Sequence, residues 1–280
     1  MAFLVFACAS PAPIPTLTPP SSSPGLSPTA AAPSATPIVT VNTTDLSFQS
    51  GGRTTAAYLV APADAAPGSA RGILWFHWLE TGAPTSNRTE FLDEAKALAA
   101  SDGSVSLLVD GTFAWKDAPS GIEHDKTAVE ADLAMLDAAY DLLLAQPAVD
   151  PARTALVGHD YGAMYSAALF AANERPVALV VMASTAHWAD WNLRYWPITD
   201  DADAYRAALA PYDLVTSLAG SGGRPTLLQF ASLDQYVPAD IADEITAAAG
   251  PGVTRQNFDT GHELTQEART ERDAWLLANL

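Results

Sequence analysis

A chain of 280 residues is long enough for one large domain with a substantial core. Its residues are 49% hydrophobic and only 16% charged, which excludes a disordered polyelectrolyte. The formal net charge of −18, with a pI near 4.3, repels phosphate backbones and anionic lipid, so neither nucleic acid nor electrostatic docking on a membrane is expected.

The single cysteine, Cys8, rules out an intramolecular disulfide. It ends a short apolar run over residues 1–8, Met1-Ala2-Phe3-Leu4-Val5-Phe6-Ala7-Cys8, that resembles the lipobox of bacterial lipoproteins. There the cysteine becomes a lipidated N-terminus after cleavage. The resemblance implies an exported bacterial protein, extracytoplasmic and touching the membrane only through that anchor. Phe6 is bulky for a lipobox, the run is short and no basic residue precedes it, as a start upstream of Met1 would explain; without export the chain would be cytoplasmic. No charged residue precedes Asp45, and nine of the 21 prolines fall between Pro11 and Pro37. Residues 9–44 are therefore expected to form a disordered tether, with the folded domain over 45–280. No segment is long enough for a transmembrane helix.

Beyond the tether, strand and helix patterns alternate. Thr44 to Gln49 and Thr54 to Val60 read as strands joined at Gly51-Gly52. Arg71 to Phe76 is a continuous apolar run, as in a strand buried on both faces. Asn87 to Ala100 has helical periodicity, with Asn87 and Glu90 spaced as a capping pair. A strand over Val105 to Val109 and a helix from Lys126 to Gln146 follow. Arg153 to Val157, Pro176 to Met182, Thr226 to Phe230 and Val253 to Phe258 read as strands. Helices are expected over Tyr161 to Ala172, Ala239 to Ala249 and Glu263 to Asn279. The alternation predicts an α/β fold with a mostly parallel central sheet and helices on both faces, its function gathered at the carboxyl ends of the strands.

At one such end lies Gly158-His159-Asp160-Tyr161-Gly162, a strand, a sharp turn and the start of a helix. Two glycines let the chain turn tightly, and the helix N-terminus favours a negative charge on Asp160. This segment through Tyr165, with Trp75-Phe76-His77-Trp78-Leu79 and Asn87-Arg88-Thr89-Glu90-Phe91-Leu92, resembles the α/β-hydrolase superfamily, and within it the dienelactone-hydrolase type, over about 45–280. In that fold the turn carries the nucleophile, followed along the chain by an acid and a histidine. The resemblance thus implies Asp160, Asp234 and His262 as the catalytic set, with Asp259, three residues from His262, a rival for the acid.

Dienelactone hydrolases carry cysteine or serine at the turn. An aspartate there is similar to haloalkane dehalogenases, fluoroacetate dehalogenases and epoxide hydrolases. That implies attack by Asp160 on an alkyl halide or epoxide, an ester intermediate, and its hydrolysis by water that His262 activates. Backbone amides of Tyr161 and Trp78 would hold the oxyanion, and no cofactor is needed. Two other readings stay open: an acyl hydrolase with Asp160 as general base, and a non-catalytic binding protein on this scaffold.

An insertion over about 184–223 carries Trp188, Trp191, Tyr195, Trp196, Tyr205 and Tyr212. It is expected to form a small lid over an apolar pocket for a small-molecule substrate, lined also by Phe113 and Trp115. His77 is expected to organise the loop after its strand and to edge that pocket. His159 reads as packing, His124 and His187 as loop residues, and their scatter has no metal-ligand spacing.

Overall fold

The computed structural model describes residues 39–80, 82–113, 121–195 and 201–280. The expectations for Cys8, most of the tether, Trp115 and Trp196 lie outside the described residues, as does the side chain of Tyr195. Among the described residues no helix is long and apolar enough to cross a membrane.

Among the described residues eight strands form one sheet: β1 (Val41–Ser50), β2 (Arg53–Pro62), β3 (Ala70–Phe76), β4 (Val105–Val109), β5 (Val149–His159), β6 (Ala178–Met182), β7 (Thr226–Ala231) and β8 (Thr254–Phe258). Their spatial order is β1-β2-β4-β3-β5-β6-β7-β8. β1 and β2 form a hairpin, β2 pairs antiparallel with β4, and every later pairing is parallel.

Side chains alternate across the central strands and sort into two apolar layers. Leu74, Phe76, Leu156 and Val181 face one side, against α2 (Ile122–Leu144), α3 (Tyr161–Ala172) and α7 (Ala239–Ala249). Ile73, Trp75, Val157 and Val180 face the other, against α1 (Leu92–Asp102) and α8 (Gln266–Asn279). Between these two helices the buried Arg272 pairs with Glu94 at 2.8 Å and 2.5 Å. The α/β expectation holds.

Several boundaries differ from expectation, among them β5, which starts at Val149 ahead of Arg153, and α8, which starts at Gln266 after Glu263. β1 begins at Val41, inside the stretch assigned to the tether, because Val41 to Thr44 pair with Leu59 to Pro62 of β2. Backbone hydrogen bonds there supply what the polar side chains cannot. Helix α2 starts at Ile122, ahead of Lys126. Helix α1 starts at Leu92 because Asn87 caps only a local turn: its Oδ1 accepts from the Thr89 amide at 2.9 Å. The Arg88 amide donates to Asp110 at 2.8 Å, and Glu90 turns inward, away from any capping box.

The insertion between β6 and β7 comprises α4 (Trp188–Tyr195), α5 (Ala202–Leu209), a 3₁₀ turn (Ala210–Tyr212) and α6 (Leu214–Ala219). Much of its aromatic content is core. Trp188 is fully buried and meets Tyr165 edge-on at 4.7 Å, so it does not line a pocket.

Candidate active site

The turn after β5 is built by close approach. A Cβ on Gly158 would collide with the Gly162 carbonyl, and one on Gly162 with the carbonyls of Phe76 and His77. Between them Asp160 adopts φ 57°, ψ −120°, a left-handed conformation that costs a non-glycine residue energy. The surroundings hold it there: its amide donates to the Met182 carbonyl at 2.9 Å, and its own carbonyl accepts from Ser184 Oγ at 2.8 Å. The strain aims the Asp160 side chain off the sheet's carboxyl edge, at the N-terminus of α3.

Asp160 is 2% exposed. Its Oδ2 accepts from the Leu79 amide at 2.9 Å, and the Tyr161 amide also favours the ionised form. Its Oδ1 has no hydrogen-bond partner among the described residues and lies 3.8 Å from His262 Nε2. Burial pushes this carboxyl up from 3.8 to about 7; Glu90 adds to the rise, while His262 and the two amides oppose it.

His262 and Asp234 complete the set. His262 Nδ1 is 2.7 Å from Asp234 Oδ2, and Asp234 Oδ1 accepts from the amides of Tyr236 at 2.7 Å and Val237 at 3.1 Å. The rival Asp259 is engaged elsewhere, by Ser232 Oγ at 2.9 Å. The His262 ring sits among Tyr236, Trp191 and Trp78, at 5.0 Å, 6.3 Å and 6.2 Å.

The amide that faces Asp160 is one residue further along than expected. The Trp78 amide donates to Glu90 Oε2 at 2.7 Å, so it points away from Asp160, and Leu79 supplies the amide instead. His77 and Phe113 also differ from their pocket assignment. The Gly111 amide donates to His77 Nε2 at 2.9 Å, and Nδ1 faces the Trp78 carbonyl at 2.6 Å, so the ring braces the loop. Phe113 is 4% exposed and packs against Phe76, Tyr161 and Tyr165. Trp191 does border the site, stacked on Tyr161 at 5.2 Å with rings 2° from parallel.

Glu90 and His159 are the residues that sequence reasoning missed. Glu90 Oε1 lies 2.6 Å from His159 Nδ1, and His159 Nε2 lies 3.0 Å from the His262 carbonyl. The Glu90 carboxylate and the His262 carbonyl thus hold the His159 ring from both of its nitrogens. The Glu90–His159 pair holds the loop after β3 through the Trp78 amide, and His262 through the His262 carbonyl. Glu90→Gln can satisfy both contacts, its oxygen toward Trp78 and its NH₂ toward a neutral His159. Glu90→Leu strands both groups and should lower stability by about 3 kcal/mol in urea unfolding, against about 1 for the glutamine. Equal losses would show that the contacts are not what matters.

No protein-family model matches the chain, and no curated protein sequence matches it. Solved structures do. An acetyl xylan esterase from Paenibacillus sp. R4 superposes with a TM-score of 0.67 at 17% identity, covering 88% of this chain and 90% of that one. A 2,6-dihydroxy-pseudo-oxynicotine hydrolase gives 0.66 at 18% identity, over 85% and 68%. A Klebsiella pneumoniae subsp. pneumoniae protein described as a dienelactone hydrolase gives 0.64 at 15% identity, over 86% and 98%. These likenesses fall on the esterase and dienelactone-hydrolase side of the resemblance, whereas its dehalogenase and epoxide-hydrolase side rests on Asp160. Strand order, turn and neighbours together give this chain the α/β-hydrolase fold, with Asp160 at the turn between β5 and α3.

Proposed function

We propose that this chain is a hydrolase of a small molecule that works through an ester formed on Asp160. The observation that carries the reading is the placing of the Asp160 carboxyl itself. One oxygen accepts from the Leu79 amide, with the Tyr161 amide also favouring negative charge on the group, so an oxyanion would be stabilised there; the other lies 3.8 Å from His262 with no hydrogen-bond partner among the described residues. Oδ1 attacks an electrophilic sp³ carbon; the C–O bond forms as the bond to halide or epoxide oxygen breaks, and the leaving group takes the electron pair, an epoxide oxygen then taking a proton from solvent. Oδ2 is then the carbonyl oxygen of an ester. Water gives a proton to His262 Nε2 and adds to the Asp160 carboxyl carbon, the charge on Oδ2 being met by the two amides. Collapse breaks the ester C–O bond, the departing alkoxide takes the proton from His262 Nε2 and leaves as an alcohol, and the Asp160 carboxyl releases its remaining proton to solvent; Asp234 stabilises the imidazolium meanwhile.

The esterase and dienelactone-hydrolase neighbours favour a second reading, hydrolysis of an acyl substrate with Asp160 as general base. It requires Asp160 to surrender the amides to the substrate's carbonyl oxygen.

His262→Gln separates the two. The variant is incubated with 4-nitrobenzyl bromide, styrene oxide and p-nitrophenyl acetate, and the intact protein is weighed. Under the first reading bromide or epoxide leaves a stable adduct on the peptide bearing Asp160, because ester hydrolysis is blocked. Turnover of p-nitrophenyl acetate by the unsubstituted protein, with no adduct in the variant, supports the second. Neither turnover nor adduct would favour a binding protein.

A further inference from the structure

A line of buried polar groups runs from the nucleophile's neighbour to the far side of the insertion. Tyr161 OH donates to Asn192 Oδ1 at 2.9 Å, Asn192 Nδ2 to Tyr205 OH at 3.5 Å, and Tyr205 OH to Asp125 Oδ2 at 2.9 Å. Asn192, Tyr205 and Asp125 are all fully buried, and Tyr161 is 4% exposed. The line has a direction. The Asp125 carboxylate only accepts, so Tyr205 must point its proton there and present a lone pair to Asn192. That turns the Asn192 amide with its oxygen toward Tyr161, whose hydroxyl must then donate. Asp125 lies in the first turn of α2, where the helix dipole favours its charge, and its other oxygen is 3.2 Å from His124 Nδ1.

Asn192 lies beside Trp191 on α4, and Trp191 is stacked on the Tyr161 ring and edge-on to His262 at 6.3 Å. The Trp188 amide, at the start of the same helix, donates to Asp213 Oδ1 at 2.9 Å. We propose that Asn192, Tyr205 and Asp125 are positioning residues that lock Trp191 as a fixed wall of the active site, so that α4 does not act as a moving lid. Lifting α4 would strip the relay and leave its polar atoms unpaired in an apolar core. Only the description of Trp191 as substrate-facing rests on the hydrolase reading; the locking does not.

The test uses Tyr205→Phe, which removes one oxygen, and Asn192→Leu, each alone and combined with Trp191→Phe. Acrylamide quenching of Trp191 is the difference between the paired proteins. The expected result is a cooperative fold in which Trp191 quenching rises at least threefold, while the other tryptophans, read in the Trp191→Phe background, are unchanged. With p-nitrophenyl acetate or 4-nitrobenzyl bromide, KM should rise about tenfold and kcat stay within threefold. Unchanged Trp191 quenching in both folded variants overturns the proposal, as does a rise shared by all tryptophans. If the unsubstituted protein turns over neither probe, the hydrolase reading has failed, and quenching alone decides the wall.

Discussion

Asp160→Asn should abolish turnover and at the same time stabilise the fold above neutral pH. The activity loss follows from either chemical role of the carboxylate and should be at least about a thousandfold in kcat. The stability gain follows from burial. The carboxyl ionises near 3.8 in the unfolded chain and near 7 in the fold, so the fold gains relative stability from holding the proton. That gain is fully present below pH 4, fades as pH rises toward 7, and is gone above it. An amide of the same shape keeps the Leu79 contact and never ionises. The variant should therefore match the unsubstituted protein at pH 4 and exceed it at pH 8 by on the order of 2–4 kcal/mol. Paired urea unfolding curves at the two pH values measure this, and a constant difference between them would refute the buried-charge account. Activity of the unsubstituted protein should rise through the same window, because only the ionised carboxylate attacks or takes a proton.

Gly162→Ala should be strongly destabilising. The added methyl meets backbone carbonyls of Phe76 and His77, which belong to the central strand and the loop carrying the Leu79 amide. Neither can retreat without breaking β3 or the oxyanion donors, so a loss of about 3 kcal/mol or more is expected. Gly220→Ala is the control: φ there is −82° and nothing lies closer than 3.5 Å, so its cost should stay below about 0.5 kcal/mol. Similar midpoints for the two variants in urea would mean that the tight turn is not what positions Asp160.

Much of this architecture was legible because the relevant signals are local. β4, α3 and α7 have the limits expected from apolar runs and periodicity, and Gly158 and Gly162 mark a turn that only small residues permit. Asp234 and His262 were placed by their order along a familiar fold, and they do meet, at 2.7 Å. Long-range pairing was not legible. Glu90 mimics a capping residue three positions after Asn87, while its real partner, His159, is 69 residues away. Once Glu90 turns inward it takes the Trp78 amide, and the amide facing Asp160 is that of Leu79. Trp188 and Phe113 misled for another reason. Aromatic content signals apolar surroundings but does not distinguish a pocket wall from a core.

The central claim is that the substrate's new oxygen comes first from Asp160 and not directly from water. A single turnover with excess protein in H₂¹⁸O tests it most directly, with 4-nitrobenzyl bromide or styrene oxide as substrate. The ester route predicts ¹⁸O in the Asp160 side chain of the digested protein, and a product alcohol that carries ordinary oxygen from that carboxylate. Label in the product, with none in the Asp160 peptide, would contradict it.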